Sequence, residues 1–145
     1  MTIRIAALVA IIFLLFLPAP GRAAENLSDA DRAAIRQVIQ SQLDAFKRDD
    51  GAAAYAFASP MIQQKFGTAE HFIAMVRTAY PAVYRPKAVE FRELASSDDM
   101  GVMQKVFFIG PDGAGVLAFY QMERQPDGSW KISGCFVTVA PDTSV

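Results

Sequence analysis

The sequence predicts an α+β fold in which N-terminal helices pack on a curved antiparallel sheet. Two observations carry this reading. Apolar residues recur at helical spacing between Ile35 and Ala79, and after Pro81 the period drops to two. The turn sequences Gly110-Pro111-Asp112-Gly113 and Gln125-Pro126-Asp127-Gly128 then separate runs of β-branched and aromatic residues. Short turns between such runs make an antiparallel meander. Helices first and strands afterwards is the α+β arrangement.

The elements follow in chain order. Ser28 caps the first helix, with Asp31 three residues on and acidic charge at the positive helix end. Ile35, Val38, Ile39, Leu43 and Phe46 form its apolar stripe, and Gln42 lies inside that stripe. Asp49-Asp50-Gly51 ends it. Ala52 to Ala58 reads as a short alanine-rich helix with Tyr55 and Phe57, stopped by Ser59-Pro60 because a residue before proline avoids helical angles. Met61 to Phe66 reads as another helical turn, closed by Gly67. Thr68 caps a further helix with Phe72, Met75, Val76 and Ala79 on its apolar face, ended by Tyr80-Pro81. Val89 and Phe91 then alternate with Glu90 and Arg92, and Glu93-Leu94 breaks the alternation as a bulge does. Ser96 to Asp99 is read as a turn. Strands follow at Val102–Ile109, Val116–Glu123 and Trp130–Val139.

The N-terminus reads differently. Arg4 precedes an apolar run from Ile5 to Leu17, Pro18-Ala19-Pro20 breaks it, and Gly21-Arg22-Ala23 offers a small-x-small cleavage site. Thirteen helical residues span only ~20 Å against a hydrocarbon core of ~30 Å, so an export signal over residues 1–23 is expected rather than a membrane anchor. Residues 24–145 are then expected to form a single α+β domain, exported to the periplasm or the medium, with no membrane attachment after cleavage. That mature chain holds twelve basic and fifteen acidic side chains, a net charge of −3, with no Lys/Arg cluster. Nucleic-acid binding needs such a basic footprint and is not expected. The single cysteine, Cys135, rules out an internal disulfide and a Cys-rich zinc site. With one histidine besides, neither a metal site nor a cofactor is expected.

One property of the strands bears on assembly. Val116, Ala118, Tyr120 and Met122 share one face, yet Leu117 and Phe119 are apolar on the other. A sheet covered by helices on one side needs only one apolar face, so a homodimer through the outer sheet face is expected.

Four segments together resemble a known family: Gln42-x-x-Ala45-Phe46-x-x-Asp49-Asp50, Ala56-Phe57-Ala58-Ser59-Pro60, Phe72-x-x-Met75-Val76 with Tyr80, and Trp130-Lys131-Ile132-Ser133-Gly134. The pattern resembles the exported bacterial proteins grouped as domain of unknown function 4864. The resemblance spans nearly all of the mature chain and implies the nuclear transport factor 2-like fold, a curved sheet wrapped round helices to form a cone with a pocket. Proteins with that cone include ketosteroid isomerase, scytalone dehydratase, polyketide cyclases and many non-enzymatic binding modules. None of the four segments is a catalytic signature, so the resemblance speaks to fold and not to function.

The pocket candidates in such a cone are Gln42, Tyr55, His71, Tyr80, Tyr84 and Tyr120. An amide in the middle of an apolar stripe either pairs with buried backbone groups or points into a pocket, and both readings stay open for Gln42. A tyrosine gives an apolar wall with one polar tip, which suits a ligand as well as a core. His71 sits at the flank of its helix, where a general base and a ring packed on the core edge are the two readings. Asp49 and Asp50 have the look of an acid–base pair, but a helix junction is where aspartate caps. Arg77 falls on the outer, solvated side of its helix. Cys135 reads as a small buried hydrophobe. No catalytic residue is assigned. Three functions remain: a non-catalytic module binding a small, mostly apolar molecule in the cone or a protein on the sheet; a cone-fold isomerase, dehydratase or cyclase, which needs a carboxylate inside the cone; or an accessory protein whose cone is filled by its own methionines.

Overall fold

The computed structural model describes residues 27–141. The expected export signal at residues 1–23 lies outside the described residues. Five helices, α1 (Asp29–Lys47), α2 (Gly51–Ala56), α3 (Pro60–Phe66), α4 (Ala69–Ala79) and α5 (Pro81–Tyr84), precede four strands, β1 (Ala88–Ser97), β2 (Gly101–Ile109), β3 (Gly115–Arg124) and β4 (Trp130–Val139). The strands pair antiparallel in the order β1-β2-β3-β4, the meander that the two short turns dictate. Gly113 and Gly128 supply the positive φ those turns need, at 83° and 86°.

Local chemistry sets each helix end. Ser28 and Asp31 form a capping box on α1. Its C-terminus closes in a Schellman turn: the Asp50 N–H reaches the Ala45 carbonyl at 2.9 Å and the Asp49 N–H the Phe46 carbonyl at 3.0 Å. Asp50 then caps α2 through the Ala53 N–H at 3.0 Å. Ser59 caps α3 with Pro60 in its first turn, and Thr68 caps α4. The stripe on α1 is buried at Ile35, Ile39, Leu43 and Phe46, with Gln42 buried among them, while Val38 is half-buried.

The inner sheet face meets these helices. Val106, Phe108, Ala118 and Tyr120 are fully enclosed, and Met122, Trp130 and Ile132 nearly so. Truncating a ring as enclosed as Phe108 costs about 3–5 kcal/mol. At one end α1 is tied to the sheet by charge: Asp31 accepts from Arg124 at 2.8 Å and from the Trp130 indole N–H at 3.2 Å. Hydrogen bonds from Arg124 and then Ser28 hold the Asp31 carboxyl at about 2, below its ordinary value.

The structure corrects the sequence reading in two places. The Tyr80-Pro81 stop is also a start, because Pro81 opens the short helix α5, whose Ala82, Val83 and Tyr84 are buried. Strand β1 runs to Ser97, so the turn falls at residues 98–100 instead of beginning at Ser96. The break at Glu93-Leu94 is a bulge, with the β1–β2 register shifting between Phe91 and Leu94. Buried Gln104 fills it, its Nε2 donating to the Arg92 and Lys105 carbonyls at 2.9 Å. A second irregularity leaves Ser133 of β4 unpaired opposite Gln121 and Met122.

The outer sheet face mixes apolar residues of β2, β3 and β4 with Arg92 and Lys105, and is partly covered by its own side chains. Arg92 lies 4.4 Å over the Phe107 ring, Lys105 lies 5.7 Å over Phe119, and Phe119 stacks on Phe136 at 4.8 Å. Leu117 and Phe119 are half-buried, but Phe136 is 47% exposed.

Candidate functional site

A cavity of about 710 Å³ opens between the helices and the β3–β4 end of the sheet. Helix α1 contributes Gln42 and Phe46. The α3–α4 pair contributes Met61, Ile62, Phe66, Phe72, Met75 and Val76. The sheet contributes Tyr120, Ile132 and Cys135. The volume is that of a small-molecule site, and the wall is mostly apolar with a few polar atoms. Met61 and Met75 form part of this wall and leave the cavity open.

The polar atoms on the wall differ in how they are satisfied. Gln42 donates through Nε2 to the Ala54 carbonyl at 3.1 Å, which fixes the amide across the α1–α2 contact. Among the described residues nothing donates to its Oε1. The two readings of Gln42 therefore coincide in one side chain: the nitrogen is a core partner and the oxygen belongs to a residue on the cavity wall. Tyr80 donates to the Cys135 carbonyl across 3.4 Å, a long bond. Tyr120 is 1% exposed, and its hydroxyl has no hydrogen-bond partner among the described residues. Its register neighbour on β4 is Cys135, whose sulfur is a weak acceptor at best. Burial pushes the Cys135 thiol up to about 12 and the Tyr120 phenol well above its ordinary range, so both stay protonated at neutral pH.

Gln42, Tyr80 and Tyr120 thus stand on one cavity, while Tyr55, His71 and Tyr84 do not. The Tyr55 hydroxyl is spent on the Gln63 carbonyl, and its ring packs on Phe72 at 5.5 Å. Gln63 answers with bonds to the Tyr55 and Ala58 carbonyls, so this group clips α2 to α3. His71 is exposed, its Nδ1 3.3 Å from the Phe66 carbonyl. Tyr84 points to the α1–α2 junction, where its hydroxyl donates to Asp49 and accepts from Arg77 at 3.2 Å. Arg85 meets the same carboxylate at 2.7 Å. Bonds from Tyr84 and then Arg85 hold the Asp49 carboxyl below its ordinary value. Arg77, exposed as expected, is thus bonded and not simply solvated.

The sequence reading passed over Cys135, Ser133 and Gly134 as wall residues. The signal was present in Gly134, since a glycine inside a strand marks a bulge or a close approach. The wall carries neither a carboxylate nor an imidazole among the described residues; Lys65 is its one charged side chain. The described residues also hold no group of three His, Cys, Asp or Glu side chains able to ligate a metal.

Comparison with known proteins agrees with this geometry at the level of fold. ActVI-ORFA from Streptomyces coelicolor, solved at 2.1 Å, superposes with a TM-score of 0.51, covering 82% of this chain and all of that one at 16% identity. Such distant identity shows the fold alone, and the fold is nuclear transport factor 2-like. A family model described as Domain of unknown function (DUF4864) matches residues 28–145. No curated protein sequence matches.

Proposed function

The chain belongs to the DUF4864 family, whose description assigns no activity, and from the site itself we propose an exported, non-catalytic module that binds a small, mostly apolar molecule in the cone. The observation that carries this is the apolar cavity of about 710 Å³ with few polar atoms on its wall. Acid–base turnover of the isomerase kind needs a carboxylate or imidazole in reach of the bound molecule. The groups that do line the cavity are poor substitutes: Cys135 is held as a neutral thiol and Tyr120 as a neutral phenol. Asp49 and Asp50, the nearest approach to a carboxylate pair in the sequence, are engaged in the α1–α2 junction.

For the outer face of the sheet we propose a second copy of the chain as the cover. Phe136 and the half-buried Phe107, Leu117 and Phe119 support this, as apolar residues that pair across β2, β3 and β4 on that face.

The binding reading is tested by filling the cavity. Naphthalene, uncharged and wholly apolar, is titrated by calorimetry against residues 24–145 and against Met75→Trp, which enlarges a half-buried wall residue. Binding to the parent and its loss in a folded Met75→Trp protein is the expected result. Equal binding to both would place the probe elsewhere.

A further inference from the structure

We propose that the cavity takes an uncharged, apolar ring with one N–H donor and no acceptor, its proton held by the side-chain oxygen of Gln42. This rests on the binding reading above and names the class of ligand. Gln42 is 4% exposed and lines the cavity. The Ala54 carbonyl needs a donor, so the atom 3.1 Å from it is Nε2, and Oε1 is the other end of the amide. Among the described residues the Tyr120 hydroxyl is the one buried side-chain polar atom both unpaired and sealed from contact, which bars it from any guest. The Gln42 oxygen also lacks a donor among the described residues, but it is not sealed. The surface it keeps belongs to a buried residue on the cavity wall, so that surface opens to the cavity.

Two hydroxyls on the same wall have given their protons to the protein. Tyr80 donates to the Cys135 carbonyl at 3.4 Å and Ser133 to the Gln121 carbonyl at 3.2 Å. What each keeps is lone pairs, and an amide oxygen only accepts. A guest with a carbonyl or a ring nitrogen bearing a free lone pair therefore meets lone pairs at all three residues. A hydrocarbon filling the cavity strips solvent from the amide oxygen and leaves it bare, at the cost of its desolvation. A ring N–H of the indole or pyrrole kind pairs that oxygen, and its own nitrogen pair belongs to the ring.

Three bicyclic probes of one shape test this by calorimetry at neutral pH on residues 24–145: indole with one donor, benzothiophene with none, and benzimidazole with a donor and an added acceptor. In Gln42→Leu, indole should bind about threefold to tenfold weaker, the range a single hydrogen bond accounts for, while benzothiophene binds at least as well as before. In the parent, benzimidazole should bind weaker than indole. Gln42→Leu also loses the bond to Ala54, so a second measurement uses the parent alone. The N–H proton of ¹⁵N-labelled indole should move downfield on binding and exchange slowly with water. Indole binding unchanged in a folded Gln42→Leu protein, or a bound N–H in fast exchange, would make the donor subsite wrong while the apolar cavity stands. Benzimidazole as tight as indole would overturn the requirement that the ring lack an acceptor. If neither indole nor benzothiophene binds the parent, the binding reading falls and the subsite with it.

Discussion

Asp49 adopts φ 54°, a left-handed conformation that favours glycine. Its place in the Schellman turn explains the angle. Its side chain explains why the residue is not glycine: the carboxylate accepts from Tyr84 and Arg85, joining the end of α1 to the end of α5. Two opposing effects follow from one position. Asp49→Gly relieves the backbone and loses the carboxylate, whereas Asp49→Ala loses the carboxylate and keeps a Cβ in the left-handed region. Both should lower the melting temperature, Ala by more than Gly. Asp50→Ala acts through a different bond, removing the α2 cap, and should cost about 0.5–2 kcal/mol. None of the three should change naphthalene binding once the protein is folded; a variant that abolished binding without lowering the melting temperature would make the aspartates part of the site. The capping role of Asp50 was legible because it depends on neighbours three residues away. The Tyr84 and Arg85 partners of Asp49 were not, because they lie 35 and 36 residues on and only the tertiary fold brings them back.

At the scale of elements, the junction of α1 with β3 and β4 depends on pH through Asp31. Asp31 titrates at about 2 in the folded chain against 3.8 ordinarily, chiefly through its bond from Arg124. A lowered folded value means that the stabilisation is present above the unfolded value and is lost as pH falls through the folded one. Melting temperature should therefore decline on acidification from about pH 4 to about pH 2. Asp31→Asn should flatten part of that decline, and a variant with the parent's full acid sensitivity would assign the effect to other carboxylates. The capping half of this junction was readable from Ser28 and Asp31, but the indole and guanidinium half was not, since Trp130 is 99 residues away. Other elements divide in the same way. The β1 bulge was visible as a broken alternation, while Gln104, which satisfies its carbonyls, looked like any strand residue. Helix α5 was missed because proline after Tyr80 signals the end of one helix and the first turn of another with the same residue.

On the scale of the whole molecule, the fold was legible where periodicity reports it and the site only where phase reports it. Gln42 stands on the cavity because its place in the α1 stripe faces inward, and Tyr120 because strand alternation puts it with Ala118 and Met122. Tyr55, Tyr84 and His71 carry the same side-chain chemistry, but their positions relative to the cavity depend on how short helices turn against one another, which no periodicity encodes. The outer sheet face raises the second question at this scale. If a second copy covers it, light scattering on residues 24–145 should give a dimer at tens of micromolar, and Leu117→Glu should give a monomer that still binds naphthalene. A monomeric parent at that concentration would leave the self-covering by Arg92, Lys105 and Phe136 as the whole account of that face.

The central claim is that the cavity between α3, α4 and the end of the sheet is a binding site. Titrating naphthalene into ¹⁵N-labelled residues 24–145 and following the amide resonances tests it most directly. Saturable shifts should concentrate at Gln42, Met75, Tyr80, Ile132 and Gly134, all on the cavity wall. Shifts confined to Phe107, Leu117 and Phe119 on the outer face, or no saturable shift at all, would contradict it.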